Sequence, residues 1–141
     1  ETMAAGSVYA ACRCAGYTRT AAEVAAVARC SQSKVELGYQ VVNVELGLAA
    51  APVDPAALVP RVASACEVSR DVERRALELA SVAEERGLSN GRKPSGVAAA
   101  CLYAAGRELG DRSTQAELAE IAGVSAVTIR ERYNELREQS L

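Results

Sequence analysis

Residues 1–42 slide onto residues 95–136 without a gap, and this self-match at a spacing of 94 restricts the chain to two copies of one structural unit. In that register Tyr9 falls on Tyr103, Ala10 and Ala11 on Ala104 and Ala105, Arg13 on Arg107, Gly16 on Gly110 and Thr20 on Thr114. Further along, Glu23 meets Glu117, Ala25 meets Ala119, Ala28 meets Ala122, Ser31 meets Ser125 and Tyr39 meets Tyr133. Composition alone scatters alanine matches. It does not align four of the five tyrosines, a glycine and two Thr-x-x-Glu boxes in one register. The match is a duplication.

Each copy opens with a stretch that carries no charge over about three turns, Met3 to Cys12 and Ser95 to Gly106. A helix that is apolar or small on every side is expected to be enclosed by its neighbours, and its alanines let them approach closely. These are read as central helices. Gly16 and Gly110 punctuate their ends, and Thr20-x-x-Glu23 and Thr114-x-x-Glu117 are capping boxes that start helices over about 21–29 and 115–122. Ser31 and Ser125 suit the N-caps of third helices over about 32–46 and 126–138. Between the copies, 47–53 reads as a linker. Asp54-Pro55 then caps a helix over about 54–67, and Ser69 one over about 70–86 that ends at Gly87. The fold class is all-α. The division is 1–46 (three helices of a first repeat), 47–53 (linker) and 54–141 (a five-helix second repeat).

Composition narrows the chemistry. The chain has 141 residues, room for one domain or two small ones, which excludes a large multidomain enzyme. With no histidine, His-based triads, His general bases and His-containing metal sites are excluded, and the carboxylates form no isolated apolar pair. No active-site constellation emerges, so the chain is read as a non-enzyme without a cofactor. The five cysteines, Cys12, Cys14, Cys30, Cys66 and Cys101, form no C-x-x-C pair and are read as buried thiols of a reducing cytoplasm. No membrane span or signal peptide is read. Glu1 in place of Met suggests a fragment or a processed product. Sixteen basic against eighteen acidic residues give a charge of −2, so any nucleic-acid function must come from local placement.

One segment offers that placement. Over 115–138 the spacing fits a helix-turn-helix: Ala119 where two helices cross, Gly123 in the tight turn, and Leu118, Val124 and Ile129 locking the pair. This leaves Ser125, Ala126, Val127, Arg130 and Glu131 on the outer face of the second helix. In a major groove Arg130 can donate two hydrogen bonds to guanine and Val127 can pack on a thymine methyl. Arg112, Thr114 and Gln115, at the N-terminus of the first helix, are placed to hold phosphate. In the first copy Arg29 stands in place of Gly123, which makes that corner a weaker groove reader, while Arg19 and Lys34 remain available to phosphates. Arg92 and Lys93 are read as a solvated loop or an anion clamp, the run 67–86 as an exposed charged face, and the paired tyrosines as core, with Tyr17 the freer one.

The segments GRKPSGVAAACLYAAGRELGDRSTQAELAEIAGVSAVTIRERYNEL (91–136) and SVYAACRCAGYTRTAAEVAAVARCSQSKVELG (7–38) resemble the duplicated core of archaeal transcription initiation factor B, the counterpart of eukaryotic general transcription factor IIB. The resemblance extends through PVDPAALVPRVASACEVS (52–69). It implies two cyclin-like five-helix repeats that clasp TATA-box-binding protein on bent promoter DNA, the first copy here lacking its first two helices. The second repeat is then expected to read the B recognition element upstream of the TATA box, through Val127 and Arg130. Lys93, Gln115 and Thr128 are implied as DNA-backbone contacts and Arg19 as the downstream contact; Arg112, Thr114, Ser125 and Lys34 join them as candidate backbone contacts. RNA polymerase is an implied partner through a zinc ribbon that this chain lacks. The alternatives are a shortened regulatory paralogue and a cyclin-like protein-binding module that never touches DNA.

Overall fold

Short polar side chains start most of the helices. The computed structural model describes residues 1–48 and 53–140, with only the backbone of Ser140. Among the described residues there are eight helices and no strand: α1 (Thr2–Cys14), α2 (Ala21–Ala28), α3 (Gln32–Leu46), α4 (Pro55–Ala65), α5 (Arg70–Glu85), α6 (Pro94–Leu109), α7 (Gln115–Ala122) and α8 (Ala126–Ser140). Both Thr-x-x-Glu sequences form complete capping boxes, with Glu23 and Glu117 each bonding back to the cap amide at 2.9 Å. Ser31, Asp54, Ser69 and Ser125 each accept a backbone N–H at the start of α3, α4, α5 and α8. Most of the linker reading at 47–53 lies outside the described residues. The chain divides into two units, Glu1–Val53 and Asp54–Leu141.

In the first unit α1 lies on α3 and α2. A Cβ on Gly6 would sit 2.3 Å from the Gly38 carbonyl carbon, and one on Gly38 would sit 2.2 Å from the Thr2 carbonyl oxygen. The two backbones therefore touch, and only glycine permits it. Beside this crossing Tyr9 and Tyr39 meet edge to face, ring centroids 5.1 Å apart, under the Arg13 guanidinium. Ala5, Ala21, Val24, Ala25 and Val35 form the small core. The expectation of an enclosed central helix fails here: Met3, Ala4 and Val8 are exposed. Among the described residues this unit has three helices, so two neighbours cover only part of α1. The uncovered side, lined by Ala4, Val8, Val24 and Val27, is an open apolar groove of about 510 Å³.

The second unit meets the expectation. α4, α5, α7 and α8 all pack on α6, whose residues Val97, Ala98, Ala99, Ala100, Cys101, Leu102, Ala104 and Ala105 are buried. Tyr103 and Tyr133 repeat the edge-to-face pair at 4.9 Å. The charged run of α5 is not wholly a solvated face. Arg75 holds Glu108 of α6 through two hydrogen bonds, at 2.6 and 3.2 Å, and Glu78 at 3.0 Å. These bonds, to Glu108 foremost, raise its already high pKa.

The cysteines correct the uniform reading as buried thiols. Cys101 is buried and Cys14 exposed, while Cys12, Cys30 and Cys66 lie between, all five free. Burial pushes the Cys101 thiol up to about 12. Burial, then the carboxylates of Glu117 and Asp111, push the Cys66 thiol up.

Two outcomes follow. Gly38→Ala forces the α1–α3 backbones apart and should lower stability by about 1–3 kcal/mol in urea unfolding. The Cys101 thiol stays protonated in the folded chain while the unfolded thiol ionises near its ordinary value of 9.0. Stability present below that pH is therefore lost as pH rises from there toward 12, by up to about 1.4 kcal/mol per unit. Cys101→Ala should flatten that part of the urea-midpoint profile.

Candidate nucleic-acid interface

Local sequence sets the α7–α8 corner. Asp111 accepts the Ser113 amide at 2.7 Å and leads into the Thr114 capping box that starts α7. At the other end Gly123 takes a left-handed φ of 69°, and the Val124 amide returns to the Ala119 carbonyl at 3.0 Å. Ser125 then opens α8: its hydroxyl accepts the Thr128 amide at 3.1 Å and pairs with the Thr128 hydroxyl at 2.9 Å. Leu118, Ala119 and Ile129 are buried between the helices and α6. Val124 is half-buried, facing Gly96.

With Ile129 and Leu136 turned inward, the opposite side of α8 faces solvent. Val127 is 52% exposed, and Ser125, Arg130 and Glu131 are exposed beside the half-buried Ala126. Arg130 makes no ion pair or hydrogen bond with any described side chain. Arg112 and Thr114 are exposed and Gln115 half-buried at the start of α7, where the capping box takes up the Thr114 and Glu117 amides. This corner combines an unpaired guanidinium, an exposed branched apolar side chain and a helix N-terminus.

The remaining sequence-derived residues are held more tightly. Thr128 is half-buried, its methyl facing Gly96 of α6 and its hydroxyl engaged by Ser125. The Lys93 ammonium donates to the Gly123 carbonyl at 3.1 Å, at the C-terminus of α7. Its neighbour Arg92 binds Glu135 of α8 at 3.0 Å. Both residues are exposed, as the solvated-loop reading expects, and each adds one side-chain contact to it. Sequence periodicity carries no signal for either contact, because both partners lie 30 or more residues away.

The first unit repeats the corner with different chemistry. Arg29 takes the left-handed conformation of Gly123, with φ of 55°, so its presence does not spoil the turn. What differs is the outer face, where the repeat register places Ser33 on Val127 and Glu36 on Arg130. Glu36, held by the Gln32 amide at 2.9 Å, is a carboxylate where a groove reader needs a cation. Lys34 is exposed, and Arg19 is exposed at 3.8 Å from Glu23. Among the described residues no group of three or more His, Cys, Asp or Glu side chains is placed to hold a metal ion. No described helix is long and apolar enough to cross a membrane.

Comparison with known proteins gives one family and a set of relatives. The family described as Transcription factor TFIIB repeat matches residues 48–139. The Transcription initiation factor IIB of Archaeoglobus fulgidus is 47% identical over 139 residues, covering 99% of this chain and 43% of the relative. That of Methanosphaerula palustris is 45% identical over 139 residues, covering 99% and 42%. That of Pyrodictium occultum is 46% identical over 136 residues, covering 96% and 44%. The chain thus spans less than half the length of these relatives.

The two turns give a paired test of backbone strain. A Cβ on Gly123 meets nothing within 4 Å, so Gly123→Ala carries only the left-handed cost and should destabilise by about 1 kcal/mol. Arg29→Gly relieves the same cost, less the added freedom of the unfolded chain, and should stabilise by about 0.5 kcal/mol. Urea midpoints of the two variants should move in opposite directions.

Proposed function

The chain belongs to the Transcription factor TFIIB repeat family, and from that premise we propose that it is the promoter-binding part of a transcription initiation factor. It docks on TATA-box-binding protein and bent promoter DNA, and its α7–turn–α8 helix-turn-helix reads the B recognition element upstream of the TATA box. The observation that carries this reading is the pair Val127 and Arg130 on the solvent side of the first turns of α8, with Arg130 unpaired among the described residues. The names of the relatives support the setting in transcription initiation.

In this reading α8 enters the major groove by its N-terminal end. Arg130 donates two hydrogen bonds to guanine O6 and N7, and Val127 packs on a thymine methyl, together distinguishing base pairs by donor pattern and shape. Arg112, Thr114, Gln115 and Ser125 lie where they can meet phosphate, fixing register without reading sequence. Arg19 and Lys34 of the first unit face downstream phosphates. DNA bending belongs to the partner that opens the minor groove, so this chain needs little affinity of its own.

A second reading, a protein-binding module, has its own support. Leu37, Val41 and Val44 form an exposed apolar stripe on α3, where the repeat register puts Glu131, Glu135 and Glu138 on α8. A stripe that one copy keeps apolar and the other charged fits a protein contact made by the first unit alone.

Arg130→Ala should cost about 1–3 kcal/mol on the preferred upstream element and flatten preference at one base pair. The measurement is a gel shift with TATA-box-binding protein on duplexes varied upstream of the TATA box. An unchanged preference overturns the base-reading role. Co-elution with that protein independent of DNA favours the second reading.

A further inference from the structure

The loop before α6 makes two contacts that phosphate binding does not require. From adjacent positions, the Lys93 ammonium holds the last carbonyl of the α7 turn, Gly123, at 3.1 Å, and the Arg92 guanidinium holds Glu135 of α8 at 3.0 Å. Glu135 is shared with Arg132, whose second nitrogen lies 3.6 Å away and whose side chain is only 11% exposed. Arg132 in turn reaches Glu131 at 3.1 Å, the neighbour of Arg130. One loop therefore grips both helices of the corner, each at a charge-assisted point.

We propose that Arg92 and Lys93 form a clamp that fixes the angle between α7 and α8, and so act as positioning residues for base discrimination by Val127 and Arg130. The inference rests on the base-reading function proposed above. A lysine amine on a C-terminal carbonyl both completes an orphan acceptor and meets the negative end of the helix. Its loss frees the turn carbonyl and lets α7 fray at the residue that aims α8. Arg92 acts on the other arm, because Glu135 is half-buried on a flank of α8 that faces away from Arg130. One contact holds the end of α7 and the other a flank of α8, while the Arg130 side of α8 remains free.

A clamp and a phosphate contact differ in what they change. A residue that only neutralises phosphate lowers affinity for every sequence and reduces the dependence of log K on log salt by about one unit. A positioning residue leaves that slope in place and erodes the ratio between preferred and altered duplexes.

The experiment uses the full chain with TATA-box-binding protein, on a TATA duplex bearing the preferred upstream element and on one with that element scrambled. For Lys93→Ala and Arg92→Ala the preferred-to-scrambled affinity ratio should fall about fivefold or more, with the salt slope unchanged. In free protein, amide hydrogen exchange over 123–128 should quicken. Lys93→Arg, which keeps a donor of similar reach, should restore the ratio, and so should the charge swap Arg92→Glu with Glu135→Arg. A salt slope lowered by about one unit with an unchanged ratio overturns the clamp and makes Lys93 a phosphate contact. Unchanged exchange over 123–128, with the preference of the parent chain intact, overturns the clamp alone. A parent chain that binds both duplexes equally overturns the base-reading function, and with it the consequence drawn here.

Discussion

Burial of α6 on all sides is the constraint on which the second unit depends. An alanine-rich helix has little side-chain bulk, so α4, α5, α7 and α8 must approach it closely to exclude water. Close approach leaves little freedom in where each helix sits. Gly96 shows how tight it is: a Cβ there would lie 3.2 Å from the Thr128 methyl. The inward side of α8 is thereby specified by the surface of α6, and its outward side follows from helical geometry. The exposed pair Val127 and Arg130 is a consequence of how the core is filled.

The first unit shows what happens when the same local signals act with fewer neighbours. Its caps, left-handed turn and tyrosine pair all recur. Its α1–α3 crossing is tighter, since Gly6 and Gly38 stand where the second unit has Ala100 and Arg132. Yet the groove beside α1 stays open, because shape at the crossing does not cover the opposite face. Duplication preserved the instructions that are read locally. It let the outer faces diverge, giving Glu36 opposite Arg130 and a Leu37, Val41 and Val44 stripe opposite three glutamates.

That contrast explains what was legible before any coordinates. The capped helix starts fall within a residue of expectation because a Ser, Thr or Asp cap acts over two or three residues, and both partners lie inside one reading window. The solvent side of α8 was legible for a similar reason: Ile129 marks its buried side, and the rest follows from periodicity. The enclosed reading of Met3 to Cys12 failed because apolar character states that a surface prefers burial and says nothing about whether a neighbour is there to provide it. The thiols failed likewise: Cys14 and Cys101 sit on similarly alanine-rich helices, and only tertiary packing separates an exposed thiol from a buried one. The Lys93 and Arg92 contacts cross 30 and 43 residues of chain, a distance over which one sequence carries no pairing signal.

The charge balance takes on a different meaning once the partners of each acid are known. A net charge of −2 argues against a surface that attracts polyanions wholesale. Several carboxylates, however, are spent internally: Glu23 and Glu117 close capping boxes, Asp71, Glu78 and Glu108 hold Arg74 and Arg75, and Glu135 gathers Arg92 and Arg132. Arg130, on the outer side of α8, and Arg112, ahead of the α7 cap, are among the cations with no ion-pair partner among the described residues. The exposed side of α7 and α8 mixes these guanidiniums with Glu117, Glu120 and Glu131 rather than presenting a basic patch. Under the proposed function this favours selectivity over affinity: long-range attraction to DNA is weak, so binding depends on short-range contacts that form only in the correct register. On the same proposal, recruitment falls to a partner already seated on the promoter, and the task of this chain narrows to deciding which flank is acceptable.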